Sequence, residues 1–277
     1  YFLTQRWFSA PGYDDYSQRH LSQRNYYDTK IASSLARLYG RPRVWVEGFH
    51  SSGWGRTTEQ TMEWITANYA FGANLYDEHG LYYSTNASTW EHAAPDPHWR
   101  QPYWRYYNNL SDWVSRMSYL MSQGTHVVDV AVHYPVVSLL AELNPRESDL
   151  DYNTYMDLSR MIYDDGMDND IIDDHSILRG NIQDGKLMVG GNGYQALVFG
   201  PEMTIKRSVV EKAFKLAENG GTVIFYGQIP SHSAEAGRDD PALTSLFSRL
   251  FGVSQGTFSR NKSIVHEFDS GGESIFL

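Results

Sequence analysis

The 277-residue chain contains no cysteine, which excludes disulfides, thiolate metal sites and a cysteine nucleophile while leaving the redox compartment open. No apolar run reaches the roughly 18 residues needed to span a bilayer, so a membrane is not expected as a partner. The start at Tyr1 shows no signal-peptide pattern. Basic residues are scarce: 23 Lys and Arg face 33 Asp and Glu, a net charge of -10. Such a chain is repelled by the phosphate backbone that dominates nucleic-acid affinity, so nucleic acid is not an expected partner. Tandem repeats and low-complexity tracts are also lacking. What is present is core-forming material, 41% hydrophobic residues with 8 Trp, 20 Tyr and 12 Phe, which excludes disorder as the main state. At about 150 residues per domain the length suggests two domains. Tyr1-Phe2-Leu3 opens without Met or a capping signal, and Ser274-Ile275-Phe276-Leu277 closes on a strand-like run. Both ends therefore read as cuts.

Periodicity divides the chain into α and β segments. Ile31, Leu35 and Leu38 share one helical face between Tyr26 and Tyr39, with Gly40 placed to cap and Pro42 beyond it. Arg43-Val44-Trp45-Val46-Glu47 is a short β-prone run ended by Gly48. Thr57-Thr58-Glu59-Gln60 then offers a capping box before Met62, Ile65 and Tyr69. A strand is expected at Ala73-Asn74-Leu75-Tyr76, and another from about Trp7. The clearest helix carries Leu110, Trp113, Val114, Met117, Leu120 and Met121 at i, i+3, i+4, i+7 spacing. A second series opens with a buried strand pattern from Val127 to Val132. It continues with a helix around Tyr152 to Tyr163, strands at Asp170 to Ile172, Ala196 to Phe199 and Thr222 to Tyr226, and a helix from Ser208 to Glu218. The fold class is α/β, divided into residues 1–125 and 126–277. The first part holds about three βα units, whereas a closed (β/α)8 barrel needs eight in about 250 residues. Part of a barrel is the expected architecture.

Candidate chemistry gathers at the strand ends of the first part, where barrels and open α/β sheets put their reacting groups. Glu47 ends one strand and is followed by a Gly- and aromatic-rich loop with His50 and Trp54; Asp77-Glu78-His79 ends the next. An Arg partner or a loop hydrogen bond is the structural alternative for Glu47. The long connection from Asp77 to Trp104 adds Tyr82, Tyr83, Trp90, His92, His98 and Trp99, flat rings with polar tips that suit sugar faces. Any one of these rings equally suits an aromatic mini-core. His50, Asp77, Glu78 and His79 lack the helical spacing of a zinc motif. Asp14 and Asp15, in an expected loop before the first helix, are candidate partners for Glu47 in two-carboxylate chemistry, or solvated capping residues. Gly190-Gly191-Asn192-Gly193 has the glycines of a phosphate cradle but precedes a strand, not a helix.

Several of these segments carry a family resemblance. Ala32 to Gly40, Val44-Trp45-Val46-Glu47-Gly48-Phe49, Phe71-Gly72-Ala73-Asn74-Leu75 and His79-Gly80 resemble the late barrel segments of the α-L-rhamnosidases of glycoside hydrolase family 106. Ser118 to Gly124, with Val128 to Val132 and Tyr134-Pro135, is similar to their exit from the barrel. Tyr194 to Gly227 is similar to the flavodoxin-like domain that follows it. The resemblance implies the carboxyl-terminal part of a (β/α)8 barrel and a flavodoxin-like accessory domain. It also implies hydrolysis of deoxy-sugar glycosides or polysaccharides, Glu47 as one catalytic carboxylate, and calcium near the sugar site. The family's other catalytic glutamate has no counterpart here, because Ser9 to Asp15 contains none. Asp14 or Asp15 substitutes for it, or the partner lies in the missing half of the barrel, supplied by the rest of the chain or another polypeptide.

The expected function is thus a glycoside hydrolase fragment acting on an oligosaccharide or polysaccharide, with an extracytoplasmic location favoured. Its expected catalytic residues are Glu47, Asp14 and Asp15. The expected substrate-binding residues are His50, Trp54, His79, Tyr82, Trp90, His92 and Trp99. The rival is a non-catalytic carbohydrate-binding or structural protein that keeps the aromatic cleft. A nucleotide-binding or amidotransferase-like second domain lacks both the usual Cys nucleophile and a phosphate loop.

Overall fold

The computed structural model describes residues 2–16, 23–84, 86, 97–141, 152–254 and 263–277. The chain forms two compact units, Tyr1–His126 and Val127–Leu277, each an α/β structure containing parallel sheet.

In the first unit, β1 (Gly12–Tyr16), β2 (Trp45–His50) and β3 (Leu75–Glu78) form a parallel sheet in the order β1-β2-β3. Parallel neighbours need long crossovers. The helices Gln23–Leu38 and Thr58–Ala70 supply them. The second of these starts on a complete capping box: Gln60 N–H donates to Thr57 Oγ1 at 3.3 Å, and Thr57 N–H donates to Gln60 Oε1 at 3.0 Å. Tyr13, Val46, Phe49, Trp64, Ile65 and Tyr69 build the core between sheet and helices. The helix Tyr107–Met121 lays Trp113, Val114 and Met117 against it. Inside that core Tyr13 O–H donates to Asn68 Oδ1 at 2.6 Å, and Thr29 Oγ1 reaches the same oxygen at 2.6 Å. A buried polar network thereby ties β1 to both crossover helices.

Three expectations need correction here. The strand expected from Trp7 begins at Gly12, after a helical turn at Phe2–Gln5. Asp14 and Asp15 therefore lie on β1 and not in a loop. Pro11-Gly12-Tyr13-Asp14-Asp15 is turn chemistry by composition, but Gly12 serves close packing: a Cβ there would lie 2.3 Å from Trp45 O. β2 also runs through Gly48 to His50, since this glycine lets the strand pass under Trp64, whose ring a Cβ would meet at 2.8 Å. β3 starts two residues later than expected, and Ala73 is spent on the core.

The second unit holds β4 (Val130–Tyr134), β5 (Asn169–Asp173), β6 (Asn181–Gln183), β7 (Lys186–Val189), β8 (Asn192–Tyr194), β9 (Ala196–Phe199), β10 (Thr204–Ile205), β11 (Thr222–Phe225), β12 (His232–Ser233), β13 (Ile264–Glu267) and β14 (Glu273–Phe276). The main sheet runs β13-β14-β11-β9-β4-β5, parallel except for β13. Counted along the chain, its parallel strands β4, β5, β9, β11 and β14 stand in the order 2-1-3-4-5. β4 begins at Val130 and not at Val127, which is exposed. The glycines at 190–193 belong to the antiparallel meander β6-β7-β8, so they serve a hairpin. Phe199 and Phe225 stack at 4.3 Å, and Phe247 closes on Phe225 at 5.1 Å.

Candidate active site

Register decides which side chains meet. In the parallel sheet Asp14 pairs with Glu47, and Glu47 pairs with Asp77. Paired residues on neighbouring strands about 4.8 Å apart point to one face. Three carboxylates thus form a row across the carboxyl-end half of the sheet, on the face opposite Val46 and its core. Asp14 and Asp77 are exposed, and Glu47 is half-buried. Asp15 follows on the same strand.

Past the row the chain bends sharply. Phe49 and Ser51 both adopt positive φ, 77° and 58°, a conformation costly for side-chain-bearing residues and concentrated at functional sites. The bend turns Phe49 into the core, where the Arg56 guanidinium covers its ring at 4.1 Å. Arg56 is itself ion-paired with Glu78. On the other side of this bend, His79 Nδ1 lies 3.0 Å from Glu47 Oε1, and His79 Nε2 lies 3.2 Å from the Tyr82 hydroxyl. The His50 ring meets His79 edge to face at 4.4 Å, and Ser51 Oγ sits 3.2 Å from His50 Nδ1.

Of the residues expected to act, Glu47, His50, His79 and Tyr82 therefore assemble in space, with Asp14 beside Glu47 by register. Trp99 is 60% exposed. Its loop is joined to Tyr82 through Arg100, which donates to Tyr82 O at 3.4 Å and covers the Trp99 ring at 4.4 Å. Trp54 is exposed at the tip of its turn. Trp90 and His92 lie outside the described residues. Arg56 and Arg100 went unnoticed in the sequence, since nothing local distinguishes a surface arginine from one that buttresses a site. A cavity of about 510 Å³ between β3 and the helix Tyr107–Met121 is lined by Tyr76 and Glu78. Leu75 lines it too, with Leu110 and Val114 of the helix, and Asp14, Glu47 and Asp77 do not. Among the described residues no group of three or more His, Asp or Glu side chains is placed to hold a metal ion. None of the helices among them is long and apolar enough to cross a membrane.

The alpha-L-rhamnosidase family model, glycoside hydrolase family 106, matches residues 14–270. The chain belongs to this family. No curated protein matches it. Among solved structures, a rhamnosidase from Novosphingobium sp. PP1Y superposes with a TM-score of 0.73 at 18% identity, covering 100% of this family-106 chain and 26% of its own. Gan42B, a GH42 beta-galactosidase from G. stearothermophilus, gives 0.69 at 11% identity, with 96% and 46% covered. A beta-galactosidase from Bacillus circulans sp. alkalophilus gives 0.68 at 14% identity, again with 96% and 46% covered. These similarities establish a fold shared with glycosidases. The rhamnosidase-family chain spans about a quarter of the first of these proteins and less than half of the other two.

Proposed function

We propose that this chain supplies the carboxyl-terminal part of a (β/α)8 catalytic barrel that hydrolyses rhamnose-like deoxy-sugar glycosides, with Glu47 as one of its two carboxylates. The observation that carries the reading is the setting of Glu47. It sits within β2 beside His79, which follows the end of β3, with Asp14 in register on its other side. Glycoside hydrolysis needs one carboxylic acid to protonate the leaving oxygen and a second carboxylate as base or nucleophile, separated by about 5–9.5 Å depending on the stereochemical outcome. Asp14 pairs with Glu47 on the adjacent strand, where the backbones lie about 4.8 Å apart, which makes Asp14 the first candidate for the second group within this chain, with Asp15 next to it. A glutamate from elsewhere in the barrel is the other. His50, Trp54 and Trp99 are the proposed sugar contacts, joined by Trp90 and His92 on the sequence alone, since flat rings offer a stacking face.

The second unit is proposed as a flavodoxin-like accessory domain. Its strand order, 2-1-3-4-5, is the flavodoxin order. The calcium implied by family resemblance would need six to eight oxygen ligands, and among the described residues no group of three or more His, Asp or Glu side chains is placed to supply them. We place the activity outside the cytoplasm, where polysaccharide substrates are met.

The test is turnover of para-nitrophenyl α-L-rhamnopyranoside and rhamnose-containing glycans by the whole polypeptide carrying these residues, with Glu47→Gln and Asp14→Asn. Glu47→Gln removes the ionisable group but keeps the side-chain size. It is expected to lower kcat by at least about 100-fold with an unchanged melting temperature. Equal turnover by wild type and Glu47→Gln would remove Glu47 from the chemistry. Binding of rhamnosides without turnover by the wild type would favour a carbohydrate-binding protein that keeps the cleft.

A further inference from the structure

The side chains around Glu47 are not equivalent. His79 was expected among the groups that touch substrate, yet both of its ring nitrogens are engaged within the chain, one with Glu47 Oε1 and the other with Tyr82 Oη. A carboxylate only accepts hydrogen bonds, so His79 Nδ1–H donates to Oε1. In that tautomer Nε2 is the ring's acceptor, and the Tyr82 hydroxyl donates there. No ring nitrogen is left for a sugar hydroxyl. The ring is also held in orientation, by His50 packed edge to face at 4.4 Å. Tyr82 is held in turn through its carbonyl, which accepts from Arg100.

Resting on the reading of Glu47 as a catalytic carboxylate, we propose that His79 is the positioning residue for that carboxylate and that Tyr82 holds the imidazole ring from its other nitrogen. Arg100, Tyr82, His79 and Glu47 make a single file of groups in which each orients the next. The file fixes Oε1 and leaves Oε2, which has no hydrogen-bond partner among the described residues, as the oxygen presented to the reaction. A carboxylate tethered at one oxygen has lost the rotation that would carry the other out of line. A misplacement of about 1 Å at a reacting group costs on the order of 100-fold in rate.

Turnover of para-nitrophenyl α-L-rhamnopyranoside by the whole polypeptide tests this, read as kcat and KM separately and paired with ring-nitrogen NMR of His79. His79→Ala is expected to lower kcat by about 100-fold with KM within about 3-fold. His79→Asn, whose amide N–H stands where Nδ1–H stood, is expected to recover most of the loss. A purely packing role would show no such rescue. In NMR, wild-type His79 should be a single Nδ1–H tautomer, and Glu47→Gln, whose amide can donate as well as accept, should convert it to a mixture. Loss of activity in Glu47→Gln with full kcat in His79→Ala would overturn the positioning role alone. A rise in KM with kcat intact would overturn it too, making His79 a substrate contact. Full activity in Glu47→Gln would instead overturn the catalytic reading on which the proposal rests. A wild-type mixture of tautomers would overturn the file of hydrogen bonds whatever the activity.

Discussion

Arg56 shows how one residue can support a site without touching it. Its side chain is 4% exposed, covers the Phe49 ring and pairs with Glu78, which is 10% exposed. Burial pushes the Glu78 carboxyl above its ordinary range, against the pull of Arg56, so desolvation outweighs what the pairing returns. Removing one partner should therefore be worse than removing both. Glu78→Leu, which leaves a buried guanidinium unpaired, is expected to destabilise the unit by about 3–5 kcal/mol, whereas Arg56→Met with Glu78→Leu should return close to wild type. Urea unfolding of the four proteins of this cycle measures it, and equal losses in single and double variants would argue against a desolvation-dominated pair. At this scale Glu47 could be singled out as a candidate, because a carboxylate in a β-prone run before a Gly-rich segment has a local signature. Its partner His79 was legible as a residue but not as a role. Nothing in Asp77-Glu78-His79 says that this ring reaches back across a strand.

At the scale of elements, the carboxyl ends of adjacent strands of the second unit are joined by a buried charge cluster. His133 on β4 meets Asp174, just past β5, at 2.8 Å through Nε2, and Glu202, past β9, at 3.2 Å through Nδ1. Lys206 stands 3.6 Å from the other Asp174 oxygen. Burial alone would lower the His133 pKa. Glu202 and Asp174 override it and push the value from 6.5 up to about 10. Asp174 moves the other way: burial would raise its carboxyl, but the His133 hydrogen bond and charge, followed by Lys206, hold it below 3.8. A proton kept by folded His133 but not by the unfolded chain stabilises fully below pH 6.5, and that contribution is lost as pH rises through about 10. The Asp174 contribution is present above pH 3.8 and is lost as pH falls below it. Urea unfolding should accordingly show stability falling between pH 6.5 and about 10, by a few kcal/mol at most, with the slope flattened in His133→Gln. A wild-type profile flat over that window would dismiss the cluster as a source of pH dependence.

For the molecule as a whole, the three-stranded sheet is the informative object. Parallel sheets are usually covered on both faces, and an uncovered strand edge is a template for pairing with another chain. β3 stands at the edge of this sheet. Leu75 on it is 39% exposed, and Tyr119 and Leu120, at the end of the following helix, are also exposed. The 277-residue chain by itself is expected to self-associate at about micromolar to millimolar concentration. Leu75→Lys should weaken that association by placing charge on the edge. Sedimentation velocity across a concentration series checks this; a wild-type chain that stays monomeric throughout would show the edge to be protected.

Element types could be read without a structure because their causes are local. Apolar residues at helical spacing placed the helices to within a few residues, Thr57 and Gln60 marked a helix start, and runs such as Ala196 to Phe199 could only be buried strand. The α/β class could be read for the same reason, since segment order survives in one dimension, and the family through the segments that resemble it. Partnership across the sheet could not. Pairing Asp14 with Glu47 crosses 33 residues and a helix, and a shift of one position would turn Glu47 into the core and Val46 out of it. Gly12-Tyr13-Asp14-Asp15 has the composition of a turn and becomes a strand only because β2 offers it a partner and Asn68 a hydrogen bond for Tyr13. The contact of His79 with Glu47 and the ion cluster around His133 are likewise settled by how strands line up, since hydrogen bonding acts over about 3 Å in space and leaves no trace along the chain.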